Sequence, residues 1–248
     1  MKYFFFFPKN PLDRRADDVR KWIEFWKDDV IAFEPKEADI VVVAGGDGTL
    51  LEAIRELQKF GKPFFGIGRG TVNYLLNEIK SSNDIPRNLS DCVSIALSMI
   101  AVTFHTPHGA IDRLAFNDVY VKAAKYSGVA RMNIRTEFDG MFEAEGDGVI
   151  VASPQGSTAY TKAAGGAILP LESGDTRNWA LTGIVLMGAS FRHVIREQRI
   201  HMDFKYPVVG IADNEEVLEV TSLDVSPSSK TATILFLPSE PFRERRRK

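Results

Sequence analysis

Hydrophobic and polar positions along the first hundred residues fall into two alternating textures. Tyr3-Phe4-Phe5-Phe6-Phe7, Ile40-Val41-Val42-Val43 and Pro63-Phe64-Phe65-Gly66-Ile67 are short apolar runs. Such runs predict strands covered on both faces, as parallel sheets require. Between them apolar residues return every three or four positions. Val19, Trp22, Ile23 and Trp26 do so within residues 13–27, where Asp13 is placed to cap a helix, and Leu50, Leu51, Ile54 and Leu57 do so within residues 49–60. A further helix is predicted over residues 89–101. Strand, helix, strand, helix is the order of an open parallel α/β sheet.

Beyond about residue 102 the pattern changes. Residues 114–123, 131–138, 141–145, 149–152, 180–187, 198–203, 208–212, 216–221 and 231–237 are short, β-rich and separated by turn residues. Asp139-Gly140, with alternation on both sides, is a hairpin signal. Strands in close succession with almost no helix predict an antiparallel sandwich or prism. The expected architecture is a Rossmann-like parallel α/β domain over residues 1–101 and a mostly antiparallel β domain over residues 102–248. The extreme C-terminal tail has the reach to pack back on the first domain.

Composition narrows the class. Of 248 residues, 44% are hydrophobic and 26% charged, too apolar for a disordered chain. Thirty-one basic against thirty-three acidic residues give −2, so no global field recruits nucleic acid or an acidic membrane. Cys92 is the one cysteine, which excludes an intrachain disulfide and a cysteine-based metal cluster. Within Cys92-Val93-Ser94-Ile95-Ala96-Leu97 it reads as a small buried hydrophobe. The opening aromatic run is broken by Pro8 and falls short of a secretory leader, and no stretch approaches the roughly 20 apolar residues of a membrane helix. A soluble cytoplasmic protein is expected. Arg243-Glu244-Arg245-Arg246-Arg247-Lys248 reads as a solvated or docked end, with a phosphate- or nucleic-acid-binding arm as the alternative. His105, His108, His193 and His201 show no ligand spacing and default to surface or strand positions.

Three clusters carry candidate chemistry. Gly45-Gly46-Asp47-Gly48-Thr49 follows a buried strand and opens a helix. Glycines permit close approach to a ligand, Thr49 can cap the helix, and helix N–H groups favour phosphate. Asp47 puts an anion where another anion should bind. That makes sense if it accepts a proton from an attacking hydroxyl or helps hold Mg²⁺ between phosphates. The second cluster runs from Gly146-Asp147-Gly148 along a strand into Ser153-Pro154-Gln155-Gly156-Ser157-Thr158-Ala159-Tyr160 and ends at Gly165-Gly166. One polar helical turn in a β-rich domain, started by Ser157 or Thr158, suits ribose or phosphate, and Tyr160 offers a ring to a base. The third is Asn117-Asp118, by itself an ordinary turn pair.

In this order and spacing the three clusters resemble the NAD kinases over nearly the whole length, in the manner of short bacterial or archaeal members. The first motif is shared with diacylglycerol, sphingosine and phosphofructo-kinases; the stretch from Asp147 to Gly166 is far more specific. The resemblance implies Mg²⁺-dependent transfer of a phosphoryl group, from ATP or polyphosphate, to the 2′-hydroxyl of the adenosine ribose of NAD, giving NADP. It also implies a homodimer or homotetramer. It makes Asp47 the general base, with Gly45, Gly46 and Thr49 in the phosphate loop and Gly48 beside the substrate. Asn117 and Asp118 match the pair that grips NAD's ribose and base, and Asp147 the acid on the nicotinamide side. Thr158, Ala159, Tyr160, Thr161, Lys162 and Ala163 match the stretch lining the adenosine pocket. A carboxylate is a weak base, useful late, once a loose transition state has acidified the hydroxyl.

Some segments differ from the family pattern. Gly68-Arg69-Gly70-Thr71-Val72-Asn73-Tyr74-Leu75 stands where the family has Asn-x-Gly-x-Leu-Gly-Phe-Leu, and Arg69 there is either a phosphate contact or a loop cation. The Pro-His-x-Leu-x-x-Arg-Pro segment is reduced to Gly188-Ala189-Ser190-Phe191-Arg192-His193. Asp213-Asn214-Glu215 replaces Asp-Gly-Gln, and Glu145 stands where many members carry a basic group. The competing readings are a lipid kinase of the same superfamily and a non-catalytic NAD(P)-binding sensor.

Overall fold

The apolar runs of the first hundred residues become parallel strands. In the computed structural model β1 (Tyr3–Phe6) pairs with β2 (Ile40–Gly45), which pairs with β3 (Phe64–Gly68), all in parallel. Every residue of β2 is buried, as befits a central strand covered on both faces. The structure describes residues 1–10, 12–24, 30–125, 128–171, 177–188 and 190–238. It divides into two units, Met1–Leu97 with Thr231–Lys248, and Ser98–Lys230.

In the first unit α1 (Asp17–Glu24) and α2 (Asp47–Leu57) accompany the strands. Leu50, Leu51, Ile54 and Leu57 form the buried stripe of α2, the three- and four-residue spacing of an amphipathic helix. Val19 of α1 joins Ile40, Val42, Phe65 and Ile67 in one core. Asp13 does not cap α1. Its carboxylate accepts the Arg15 N–H at 3.1 Å and pairs with the Arg15 guanidinium, a local turn preceding the helix. The last predicted positions of this helix, Trp26 among them, lie outside the described residues, as does the basic run 243–248.

The helix predicted over residues 89–101 is absent. Leu89–Asp91 forms a single 3₁₀ turn, and β4 (Val93–Thr106) follows. Ile95, Leu97 and Met99 are buried while Ser94 and Ala96 are exposed, a period of two. Short apolar runs fit both periods, and strand pairing decides between them. β4 has two partners, β5 (Gly109–Ala115), aligned with Ile100 to Thr106, and the later strand Glu215–Phe236. Cys92, just before β4, is half-buried, and burial pushes its thiol up to about 11, so it stays protonated and inert.

The second unit is built of antiparallel strands: β6 (Asp118–Ala123), β7 (Ala130–Thr136), β8 (Gly140–Ala152), β9 (Asn178–Leu186), β10 (Arg192–Arg196), β11 (Ile200–Ala212) and β12 (Glu215–Phe236). β8 pairs with β6, β7 and β9; β11 pairs with β6, β7 and β12. Phe104, Val121, Met202 and Trp179 sit in its core. The Asp139-Gly140 hairpin forms where predicted, joining β7 to β8.

Several predicted strands are redrawn. Residues 141–145 and 149–152 fall in one strand, as do 200–203 with 208–212 and 216–221 with 231–236; in β11 the pairing passes from β7 to β6 across a register shift between Asp203 and Val208. Residues 114–123, predicted as one strand, break at Phe116-Asn117. β10 was not predicted. The end of β12 belongs to the first unit, where Ile234 and Leu235 pair in parallel with Phe64 and Phe65 of β3. Among the described residues no helix is long and apolar enough to cross a membrane.

Candidate functional site

At the end of β2 the chain turns through Gly46, whose extended backbone (φ −100°, ψ −178°) makes it the N-cap of α2. Thr49 is therefore not the cap. It lies in the first helical turn, buried, with its N–H on the Gly46 carbonyl at 3.0 Å. Asp47 opens the helix, and its two carboxylate oxygens accept the N–H groups of Tyr74 and Leu75, each at 3.0 Å. Two backbone donors fix the orientation of the carboxylate, and a carboxylate has lone pairs beyond the two they occupy.

The segment carrying those donors is brought in by a glycine contact. A Cβ on Gly70 would stand 2.9 Å from the Gly46 Cα, so the two loops meet backbone to backbone because Gly70 lacks a side chain. The Arg69 N–H donates to the Gly45 carbonyl at 2.7 Å. The Arg69 guanidinium hydrogen-bonds Asp18, at 2.8 Å for its closest contact, and lies 5.4 Å from the Trp22 ring centre. This pairing holds the Asp18 carboxyl below its ordinary value. Arg69 is thus not the solvated loop cation of the sequence reading: its geometry supports tertiary anchoring of the loop, a role the sequence did not suggest.

A groove of about 590 Å³ opens against this loop, lined by Gly46 to Thr49, Gly70 to Val72, Lys9, Asp13, Arg15 and Glu52. Its cations are held by acids: Lys9 by Glu52 and Glu56, and Arg15 by Asp13, whose carboxyl is lowered to about 2. The N–H groups at the head of an 11-residue helix favour an anion, while the lining acids Asp13, Asp47 and Glu52 outnumber Lys9 and Arg15. No group of three or more His, Cys, Asp or Glu among the described residues is arranged to hold a metal ion.

In the second unit, Phe116-Asn117-Asp118 form the corner between β5 and β6. Asp213, buried in the turn between β11 and β12, accepts the N–H of Phe116 on one carboxylate oxygen; the other accepts those of Asn117 and Asp118 at 2.8 and 3.3 Å. The carbonyls are taken from the 153–156 side. The Ser153 hydroxyl donates to Phe116 O at 2.7 Å and Asn117 O at 2.9 Å, and the Gln155 amide donates to Phe116 O at 2.6 Å. A Cβ on Gly156 would overlap the Asn117 carbonyl. Asp118 is 5% exposed, and burial first, then the Asp213 charge, push its carboxyl up to about 7.

Gly156–Thr158 forms a 3₁₀ turn and Tyr160–Ala163 a short helix, α3. Gly165, at φ +76°, ends it in the left-handed conformation. The Ser157 hydroxyl ties the turn together, donating to Pro154 O at 2.7 Å and accepting the Leu169 N–H at 2.9 Å. Ser157, Thr158 and Thr161 are buried, and the Thr161 hydroxyl has no hydrogen-bond partner among the described residues. The Tyr160 ring meets Tyr120 edge-on at 5.0 Å, with the Lys122 ammonium 5.0 Å from its centre.

The sequence clusters are thus partly assembled. Asn117-Asp118 and residues 153–158 interlock, and Tyr160 joins them through β6, which Asp118 begins. Asp147 is exposed on β8, beside the register pair Gly148 and Lys122. Gly45 to Thr49 belong to the first unit. Asp213 was not among the candidates; its signal was an Asp-Asn pair between two alternating strands, a hairpin-turn pattern. Among the histidines, His105 and His201 lie on strands, both hydrogen-bonded to Asp224 at 2.8 and 2.7 Å.

Two family models match the chain: the ATP-NAD kinase N-terminal domain over residues 8–96 and the ATP-NAD kinase C-terminal domain over residues 116–204. The NAD kinase of Brucella suis biovar 1 (strain 1330) is 37% identical over 227 residues, 85% of this chain and 84% of the relative. That of Mesorhizobium japonicum is 34% identical over 221 residues, 84% and 83% of the two chains. Among solved structures, the fold is similar to an NAD kinase from Archaeoglobus fulgidus in complex with ATP (TM-score 0.74, 21% identity, 100% and 99% coverage). It is also similar to yeast NADH kinase complexed with NADH (TM-score 0.77, 17% identity, 99% and 86% coverage).

Proposed function

The chain belongs to the NAD kinase family and is an NAD kinase, and we propose from that premise how its residues divide the work. Asp47 is the general base. It takes the proton of the 2′-hydroxyl of the adenosine ribose as that oxygen bonds to the γ-phosphorus of ATP, the β–γ bridging bond breaks and ADP leaves. Gly45, Gly46 and Thr49 form the phosphate loop, and Gly48 touches the substrate beside the base. Asn117 and Asp118 hold ribose and base, Asp147 the nicotinamide side, and residues 158–163 line the adenosine pocket.

The observation that carries this reading is the grip on Asp47. Phosphoryl transfer asks mainly for alignment and charge neutralisation. A carboxylate locked by two amides at a helix head, on the wall of a groove, supports the alignment. Mg²⁺ accompanies the donor and neutralises its phosphates. A homodimer or homotetramer in the cytoplasm completes the proposal, with polyphosphate as the alternative donor.

The test is NADP formation from NAD with ATP or polyphosphate and Mg²⁺. Asp47→Asn should lower turnover by about 10²–10⁴-fold. Retained turnover in that variant would remove Asp47 from the chemistry. The lipid-kinase and silent-sensor readings are not favoured, since matches to NAD kinases extend through both the N- and C-terminal models.

A further inference from the structure

The turn Asp213-Asn214 joins β11 to β12 directly, with Ala212 paired to Glu215. Both turn residues have positive φ, 47° and 70°, the two-residue hairpin conformation that glycine and asparagine adopt most readily. An aspartate here accepts left-handed backbone strain of about 1 kcal/mol or more. Its side chain is also buried, 3% exposed. Neither choice serves a solvent-facing hairpin. What the carboxylate does is collect three consecutive N–H groups, from Phe116, Asn117 and Asp118, while the Asp213 N–H donates back to Asp118 O at 3.2 Å. Ser153 and Gln155 hold the carbonyls of the same corner from the 153–156 side.

We propose that Asp213 is a positioning residue for NAD: by binding the backbone of Phe116-Asn117-Asp118 it sets the presentation of the Asn117 and Asp118 side chains to the ribose and base. The inference rests on the reading that this pair grips NAD. Asp213 touches the pair's backbone and acts through it. It differs from the hydroxyl and amide clamps in also carrying charge. The groups around the Asp118 carboxyl are Asp213 from the β11–β12 turn and Tyr120 from its own strand. Tyr120 in turn faces Tyr160 of α3, Glu216 of β12 and Lys122. Among the described residues the like charge raising Asp118 is that of Asp213, so Asp213 adds to burial in raising the pH at which Asp118 loses its proton.

The experiment is steady-state kinetics of the full chain with ATP across pH 5 to 9 for wild type, Asp213→Asn, Asp213→Glu and Asn117→Ala. Asp213→Asn keeps the shape but turns an acceptor into a donor facing an N–H. It should raise KM for NAD about tenfold or more, leave kcat and KM for ATP within about twofold, and move the pH break in KM for NAD downward. Asp213→Glu keeps charge and acceptors; it should raise KM for NAD while leaving the break in place, and it carries the comparison should the asparagine variant not fold. An unchanged KM for NAD, or a parallel rise in KM for ATP, in whichever variant folds overturns the proposal. Asn117→Ala separates the two failures. If it leaves KM for NAD unchanged, the reading of the pair falls and the proposal with it. If it raises KM for NAD while the Asp213 variants do not, only the positioning role falls.

Discussion

The loop at the head of α2 and the corner between β5 and β6 both set a carboxylate against backbone N–H groups, to different ends. Asp47 is gripped by two amides and stays half-buried on the wall of a groove. Asp213 is gripped by three and is buried. A carboxylate held by donors yet open on one side can meet a substrate; one enclosed by donors can only organise the chain around it. Between them in character stands Asp118, which is buried and repelled by a neighbouring acid, so its charge is disfavoured. Each position is chemically an aspartate. What separates reagent, scaffold and suppressed charge is how many donors reach each one and how much water remains.

Substitutions can break this contrast. Asp47→Asn should have the largest effect, about 10²–10⁴-fold on turnover, with a stability loss of about 1–3 kcal/mol because the amide turns a donor toward one of the two N–H groups. Gly156→Ala attacks the scaffold side. Its new Cβ overlaps the Asn117 carbonyl, so chemical denaturation should show a loss of about 1–3 kcal/mol, accompanied by a higher KM for NAD.

Asp118→Asn tests the suppressed charge. A carboxyl whose folded pKa is raised to about 7 keeps its proton in the folded state after the unfolded chain has released it. Stability from this group is therefore full below about pH 4 and is lost as pH rises toward 7. The asparagine variant should lack that loss. Its melting temperature should exceed the wild type's at pH 8 but not at pH 4, while NAD binding weakens. A wild type and variant that melt in parallel at every pH would count against the buried repulsion. Smallest of all, Asn214→Gly relieves one left-handed residue and should stabilise the fold by up to about 1 kcal/mol without altering KM for NAD.

The sequence by itself determined the local elements whose cause is local. Three apolar runs became β1 to β3, the Leu50-Leu51-Ile54-Leu57 stripe became α2, and Asp139-Gly140 became a hairpin. It also marked Gly45 to Thr49 and the stretch from Asp147 to Gly166, because a glycine loop after a buried strand and a polar turn among strands conflict with plain packing; Asn117-Asp118, an ordinary turn pair by itself, was marked only by the family resemblance. Tertiary structure decided the rest. Whether residues 93–101 are helix or strand depended on the strands that pair with β4, namely β5 and β12, since their apolar spacing fits both periods. Thr49 lost the cap to Gly46 because two glycine loops meet there, and Arg69 turned to Asp18 and Trp22, neighbours that only folding supplies. Asp213 lies 95 or more positions from the amides it binds, and a hydrogen bond across that separation leaves no periodic trace in the chain.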